Sequence, residues 1–361
     1  MSVSRLVVEA ALAACRDAGI APESVDGILS EAYSTPHIMP DLHAALNLKP
    51  DVFTANVGLV GSGAVATIAL AQAAAEAGVG STFLCVYGLN LSNSGGPGAH
   101  HSADPYKANL EMPFGFYPQP VYMAAMTRRY CAQYGVEEDL LSAVPLATRQ
   151  WAALNPLALC RDELTPESYF SSPVIADPLR KLDCCLISDG ACAIVVTATP
   201  EGADRAHPPV SVLSVARAIE PIPSQEYLGV RPDHLSLASR ISGPAALKKA
   251  GLETKDVDLA YLYDCFSIIP VLQLEDIGFC NRGEGLEFFA SGATAPGGTL
   301  PVNTHGGLLS HSYVPGLNMV VEAVHQLRGT ADPERLQSGA EVALVAAWAD
   351  TEHTTLILGR T

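Results

Sequence analysis

The chain has 361 residues, with 21 Lys and Arg against 38 Asp and Glu and a formal charge of −17. This acid excess comes without any basic stripe, which speaks against a nucleic-acid binder, because neutralising phosphates needs clustered Lys and Arg. Charged residues make up 16% and hydrophobic ones 48%. The globular norm for charged residues is about 25%, so a large core or a buried subunit interface is expected and disorder is not.

The first twenty residues, MSVSRLVVEAALAACRDAGI, form an amphipathic helical pattern with charges throughout, unlike a secretory leader. Residues 52–75 are the longest uncharged run, but Asn56, Gly58, Gly61, Ser62, Gly63 and Gln72 interrupt it. A buried strand, turn and helix fits this run better than a membrane span. Gly61-Ser-Gly-Ala-Val-Ala66 has the form of a dinucleotide fingerprint, yet the next strand runs into Leu89-Asn90 without the acid that would hold a ribose. Ser62 lacks the full G-x-S-x-G spacing of a hydrolase nucleophile. His100-His101 has no H-x-x-x-H or H-x-E context and reads as part of a polar loop, so no metal site is expected. Residues 90–116, rich in Gly, Pro and polar side chains, read as a lid or a partner surface.

Strand-like runs at 81–87, 191–197, 342–347 and 354–358 alternate with helical stretches, which argues for α/β layers covered on both faces. A domain boundary is expected in the Pro- and Ala-rich stretch 200–209, dividing the chain into 1–205 and 206–361. Nine cysteines, an odd count with no C-x-x-C pair, point to reduced thiols in a cytosol.

Self-comparison shows that residues 13–26 (AACRDAGIAPESVD) recur as residues 245–258 (AALKKAGLETKDVD). Each copy predicts a helix ended by a glycine, Gly19 or Gly251, then an acidic turn and Val-Asp leading into a strand. A weaker echo relates Asn56 to Gly63 with Asn303 to Gly316, each ahead of an apolar helical pattern. Duplicated halves meeting face to face put an active site between them. Two segments carry chemistry there. Tyr261-Leu-Tyr-Asp-Cys-Phe266 ends a strand with a phenol, a carboxylate and a thiol in a row, and Asn303-Thr-His-Gly-Gly-Leu-Leu-Ser-His-Ser-Tyr-Val-Pro-Gly316 is a polar glycine-rich turn before a helix. A helix start offers free N–H groups for a developing oxyanion.

At these residues the sequence resembles the thiolase superfamily, nearest to bacterial relatives of the sterol-carrier-protein thiolases. Ser188-Asp-Gly-Ala191 before a strand, Asp264-Cys-Phe266, Asn303 with Gly306-Gly307, and the repeat carry the resemblance over nearly the whole chain. It implies an α/β thiolase fold, five-layered αβαβα from two duplicated halves, a homodimer, and action on coenzyme A thioesters. The match begins at the first helix, so the strand that usually opens the family's first half is not expected.

The departures are specific. The family's nucleophilic Cys lies three residues before the glycine that opens the first central helix, and here that residue is Val60. Valine cannot form an acyl-enzyme. Tyr313 takes the place of the catalytic His, and the C-terminal Cys-x-Gly-Gly region reads Ala346-Ala-Trp-Ala-Asp350. Tyr313 and Tyr263 together resemble the lipid-transfer-protein-like aldolases of steroid side-chain degradation. That resemblance implies retro-aldol cleavage of a β-hydroxyacyl-CoA, such as a 17-hydroxy steroid acyl-CoA, to a ketone and propionyl-CoA, with a small OB-fold partner in a heterotetramer. Such a cleavage needs a base for the β-hydroxyl and an acid for the α-carbon, and Tyr263 and Tyr313 are the candidates for these roles, in either order. Asp264 and His305 would activate them, and Asn303 with backbone N–H groups near Gly307 would support the enolate. No cofactor is implied beyond the coenzyme A of the substrate, and no membrane association. Two other readings stay open: a catalytically silent structural subunit, and a thiolase or acyltransferase that uses a non-standard thiol, Cys265.

Overall fold

The computed structural model describes residues 2–32, 38–93, 105, 107–198, 207–220 and 233–360. In chain order the first half contains α1 (Val3–Ala18), β1 (Gly27–Ser30), α2 (Met39–Ala45), β2 (Phe53–Asn56), α3 (Val60–Glu76) and β3 (Thr82–Asn90). Helices α4 (Gln119–Tyr134), α5 (Ala143–Ala153) and α6 (Pro166–Ser171), then the short strands β4 (Val174–Ala176) and β5 (Leu179–Arg180), lead to β6 (Asp189–Thr197). The second half runs β7 (Val210–Ile219), α7 (Ser239–Ala250), β8 (Leu259–Leu262), α8 (Ile268–Ile277), α9 (Gly285–Ala290), α10 (Leu317–Arg328), β9 (Val342–Ala349) and β10 (Glu352–Arg360).

The repeat is built as its sequence implies. Helix α1 ends at Gly19 and α7 at Gly251, both left-handed, with φ of 67° and 72°. Each is followed by a single 3-10 turn and a strand, β1 or β8. The first sheet has the order β2-β1-β3-β6 and the second β7-β10-β9-β8. The pairs β1–β3 and β8–β9 are parallel, and β3–β6 and β9–β10 antiparallel, so the two sheets superpose in topology. Two differences break the symmetry. Among the described residues the outer edge of β6 has no partner, whereas β7 pairs with the matching edge of β10. The counterpart of β2 shrinks to one parallel bridge, Ala260 with Val302.

Helices α3 and α10 pack between the sheets, α1 covers the outside of the first, and α7 covers the second. The layers are therefore αβαβα. A helix between two sheets has no solvent face, so α3 buries Gly61, Ser62, Gly63, Ala64, Val65, Ala66, Thr67 and Ile68 in succession. Its small residues let the sheets close on it, and this middle layer explains the low charge content.

The start of α3 departs from the sequence expectation. It begins at Val60, so Gly63 lies inside its first turn and donates its N–H to Leu59 O at 2.8 Å, while α10 does start directly after Gly316. His100-His101, residues 94–104 and 106 of the 90–116 segment, and residues 200–206 of the expected boundary lie outside the described residues, the last falling between β6 and β7. Among the described residues no helix is long and apolar enough to cross a membrane, and no cluster of three His, Cys, Asp or Glu could hold a metal.

Candidate active site

Tyr263 follows directly on β8, and its N–H donates to Ala346 O of β9 at 3.1 Å. Its ring lies against the first turn of α3, where a Cβ built on Gly61 would fall 2.3 Å from Cε2, and edge-on to Trp348 with centroids 6.1 Å apart. Tyr313 arrives from the other side, after a π-helical turn, Gly307–His311, and its N–H donates to Ser188 Oγ at 2.6 Å. The two phenolic oxygens are 3.0 Å apart.

Burial pushes both phenols well above the ordinary value of 10, and Tyr313 adds to the shift at Tyr263. At Tyr313 the nearby thiols of Cys185 and Cys265 contribute after burial, and at both sites the Tyr87 phenol contributes as well. The pair is neutral near neutrality. Two neutral hydroxyls share one hydrogen in their mutual bond and leave the second available to another acceptor.

The other expected site residues serve a different purpose. Neighbours in an extended segment point to opposite sides, so Asp264 turns away from the phenol beside it. Its carboxylate accepts N–H bonds from Leu308 at 2.8 Å and Leu309 at 3.4 Å. Burial raises it to about 7, against the pull of those two N–H groups. The fit is so close that a Cβ at Gly307, whose φ is 64°, would lie 1.9 Å from Asp264 Oδ2. Asp264 thus ties the turn that leads to Tyr313 onto the strand that leads to Tyr263.

Asn303, at φ 52°, accepts the Leu262 N–H through Oδ1 at 2.9 Å and donates Nδ2 to Leu262 O at 2.8 Å. Its amide acts as a strand neighbour for β8. Of the groups expected to support an enolate, Asn303 and the backbone N–H groups near Gly307, the Asn303 amide is bonded to Leu262 and the Leu308 and Leu309 N–H groups to Asp264.

His305 likewise does not reach the phenols through any hydrogen bond. Among the described residues neither ring nitrogen has a partner, and the ring packs 5.3 Å from that of His311 and 6.1 Å from that of Tyr261. Burial, then His311, lowers it to about 3, so it is neutral. Beside it Tyr261, Thr304, Glu322, Gln326 and Arg335 form a buried hydrogen-bonded network that anchors the start of the loop. Cys265 is buried, and burial together with Cys185 and Asp264 holds its thiol protonated, which makes it a poor nucleophile.

Sequence reasoning missed the first half's contribution. Val60, a β-branched residue at φ 42°, sits where few such residues are found. Its N–H donates to Glu31 Oε2 at 3.2 Å, and the Leu59 N–H donates to Glu352 Oε2 at 3.3 Å. Arg217 pairs with Glu352 at 2.7 Å. Glu31 is fully buried. These contacts join residues far apart in sequence and leave no local signal. Gly61 and Ser188 lay within motifs that were visible, but their contacts were not.

Residues 223–360 match the model of the thiolase C-terminal domain-like family. Over 98% of this chain and 94% of the relative, the sequence is 34% identical to the 17-hydroxy-3-oxo-4-pregnene-20-carboxyl-CoA lyase of Mycobacterium tuberculosis. The chain belongs to the thiolase superfamily, on its aldolase branch. A steroid side-chain-cleaving aldolase of Thermomonospora curvata is 32% identical over 98% of this chain and 92% of its own. The solved Ltp2-ChsH2(DUF35) aldolase superposes with a TM-score of 0.89 at 31% identity, covering all of this chain and 93% of that one. Human mitochondrial 3-ketoacyl-CoA thiolase, at 15% identity and a TM-score of 0.72 over 93% of its chain and all of this one, shares the fold. Within the superfamily, this member keeps the scaffold and sets a phenol pair between its two halves.

Proposed function

We propose that this protein is a carbon–carbon lyase that cleaves a β-hydroxyacyl-CoA by a retro-aldol reaction, with no covalent acyl-enzyme. The observation that carries this reading is the Tyr263–Tyr313 pair at 3.0 Å, in a thiolase scaffold whose nucleophile position holds Val60. The names of the relatives support a 17-hydroxy steroid with a three-carbon acyl-CoA side chain as substrate, giving a 17-ketone and propionyl-CoA.

In such a cleavage the β-hydroxyl loses its proton, the Cα–Cβ bond breaks with its electron pair passing into a thioester enolate, and the enolate carbon takes up a proton. One phenolic oxygen accepts the hydroxyl proton as the other gives one up, so both residues are neutral phenols before and after. Such a relay avoids a free phenolate, which burial disfavours at both positions. With the Leu59, Val60, Leu308 and Leu309 N–H groups engaged by carboxylates, the phenol hydrogen outside the mutual bond supports the developing enolate. Asp264 is a positioning residue in this scheme. Coenzyme A enters as part of the substrate, and the scheme calls for no other cofactor.

The pairing of Ltp2 with ChsH2(DUF35) in the similar solved aldolase supports a DUF35-type partner for this chain, which in this reading is a small OB-fold protein in a heterotetramer. The test is to incubate the purified protein, alone and with such a partner, with a 17-hydroxy steroid acyl-CoA and to separate the products by liquid chromatography. Ketone and propionyl-CoA in equal amounts are expected. A folded complex that forms neither, or that becomes acylated on Cys265, overturns the reading.

A further inference from the structure

The N-terminus of α3 is an anion-attracting point of the central layer, because a 17-residue helix presents unpaired N–H groups and positive potential there. In this protein two carboxylates occupy it. Glu31, fully buried at the end of β1, takes the Val60 N–H, and Glu352, at the start of β10, takes the Leu59 N–H. Glu31 is held in place by its neighbours: the Val57 N–H donates to Ser30 O at 2.9 Å, the Ala32 N–H to Gly58 O at 3.1 Å, and Ser30 Oγ to Asn56 Oδ1 at 2.7 Å. The site lies next to the reaction centre, since Gly61 packs against the Tyr263 ring.

We propose that Glu31 and Glu352 determine the reaction class of this site. By taking the Leu59 and Val60 N–H groups at the start of α3, with Glu352 itself paired to Arg217, they close it to a thiolate nucleophile and to the oxyanion of a covalent acyl intermediate, leaving only chemistry stabilised from the phenol side. The change from acyl transfer to carbon–carbon cleavage thus includes the occupation of helix-start donors as well as the loss of a thiol. A cysteine placed at position 60 would lose the activation a helix N-terminus normally gives a thiol while these carboxylates remain. The inference stands independently of the retro-aldol reading, because its readout is the chemistry of an introduced thiol.

The experiment compares Val60→Cys with Val60→Cys/Glu31→Gln. Iodoacetamide labelling at position 60 is followed by peptide mass spectrometry across pH 6 to 10. The plateau rate reports access to the thiol, and the midpoint reports the charge around it. Among the described residues the groups that face the thiol include Glu31, Glu352, its partner Arg217, and the Tyr263 ring. In Val60→Cys the midpoint is expected at or above the ordinary thiol value of about 8.5, in spite of the helix N-terminus. Removing the Glu31 charge is expected to lower it by roughly one pKa unit, which is about a tenfold gain in labelling rate at pH 7. Glu352→Gln is expected to shift it in the same direction and serves if the Glu31 variant does not fold, as judged by near-UV circular dichroism. A midpoint well below 8.5 in Val60→Cys alone, or one that neither substitution moves in a folded protein, overturns the proposal.

Discussion

Gly61 lies so close to Tyr263 that a single methyl group on it would come within 2.3 Å of Cε2 and 3.2 Å of Trp348 O. The carbonyl is backbone and cannot yield, so the ring must. Gly61→Ala should therefore displace the phenol from Tyr313 and cost about 1–3 kcal/mol of stability through overpacking. A misplacement of this size should lower turnover about a hundredfold. Steady-state kinetics and thermal denaturation on the same preparation check both, and undiminished turnover would show that the contact does not hold the phenol in place.

Tyr263→Phe and Tyr313→Phe each keep the ring and remove the hydroxyl. If the pair acts as one relay, each should cost roughly two to four orders of magnitude in kcat, and the double variant should be little worse than the poorer single one. Losses that multiply would instead show two independent roles. Single-turnover measurements with saturating substrate distinguish these outcomes.

Asp264 makes stability depend on pH in an unusual direction. Its folded-state value of about 7 lies above the unfolded value near 3.9, so between them the native state holds a proton that the unfolded chain has released. Stability from this group is therefore full below about pH 4, falls as pH rises, and is lost once pH passes about 7. In Asp264→Asn this contribution disappears. Relative to wild type, the variant should gain stability with rising pH over that window, at up to about 1.4 kcal/mol per pH unit. Urea denaturation at several values from pH 5 to 8 measures the difference, and a pH-independent offset would place the titration elsewhere.

The duplication made much of the fold legible. The glycine-ended helices and the Val-Asp strand entries sit in one local repeat, and each of its signals acts over a few residues. The start of α3 was less so, because no propensity foresees a valine at φ 42°. Tyr263 and Tyr313 were visible as polar rings in segments that had to converge. Asp264 was visible too, but residues next to each other in sequence share no face of an extended chain. Glu31 and Glu352 escaped notice because a carboxylate at the end of a strand looks like any surface acid until the fold brings the start of a helix to it.

The Asn303 amide bears on how such proteins are compared. Among side chains of its length only this one offers both an acceptor to the N–H and an amide donor to the C=O of one residue, as Leu262 requires. It replaces a neighbouring strand and lets the main chain leave the sheet at once to carry the loop across toward Tyr263. An asparagine shared by two thiolase-fold proteins thus reports how the chain exits the sheet, and both a condensing and a cleaving enzyme can need it for that reason. In the proposed reading, what distinguishes their chemistry lies at Val60, Glu31, Tyr263 and Tyr313.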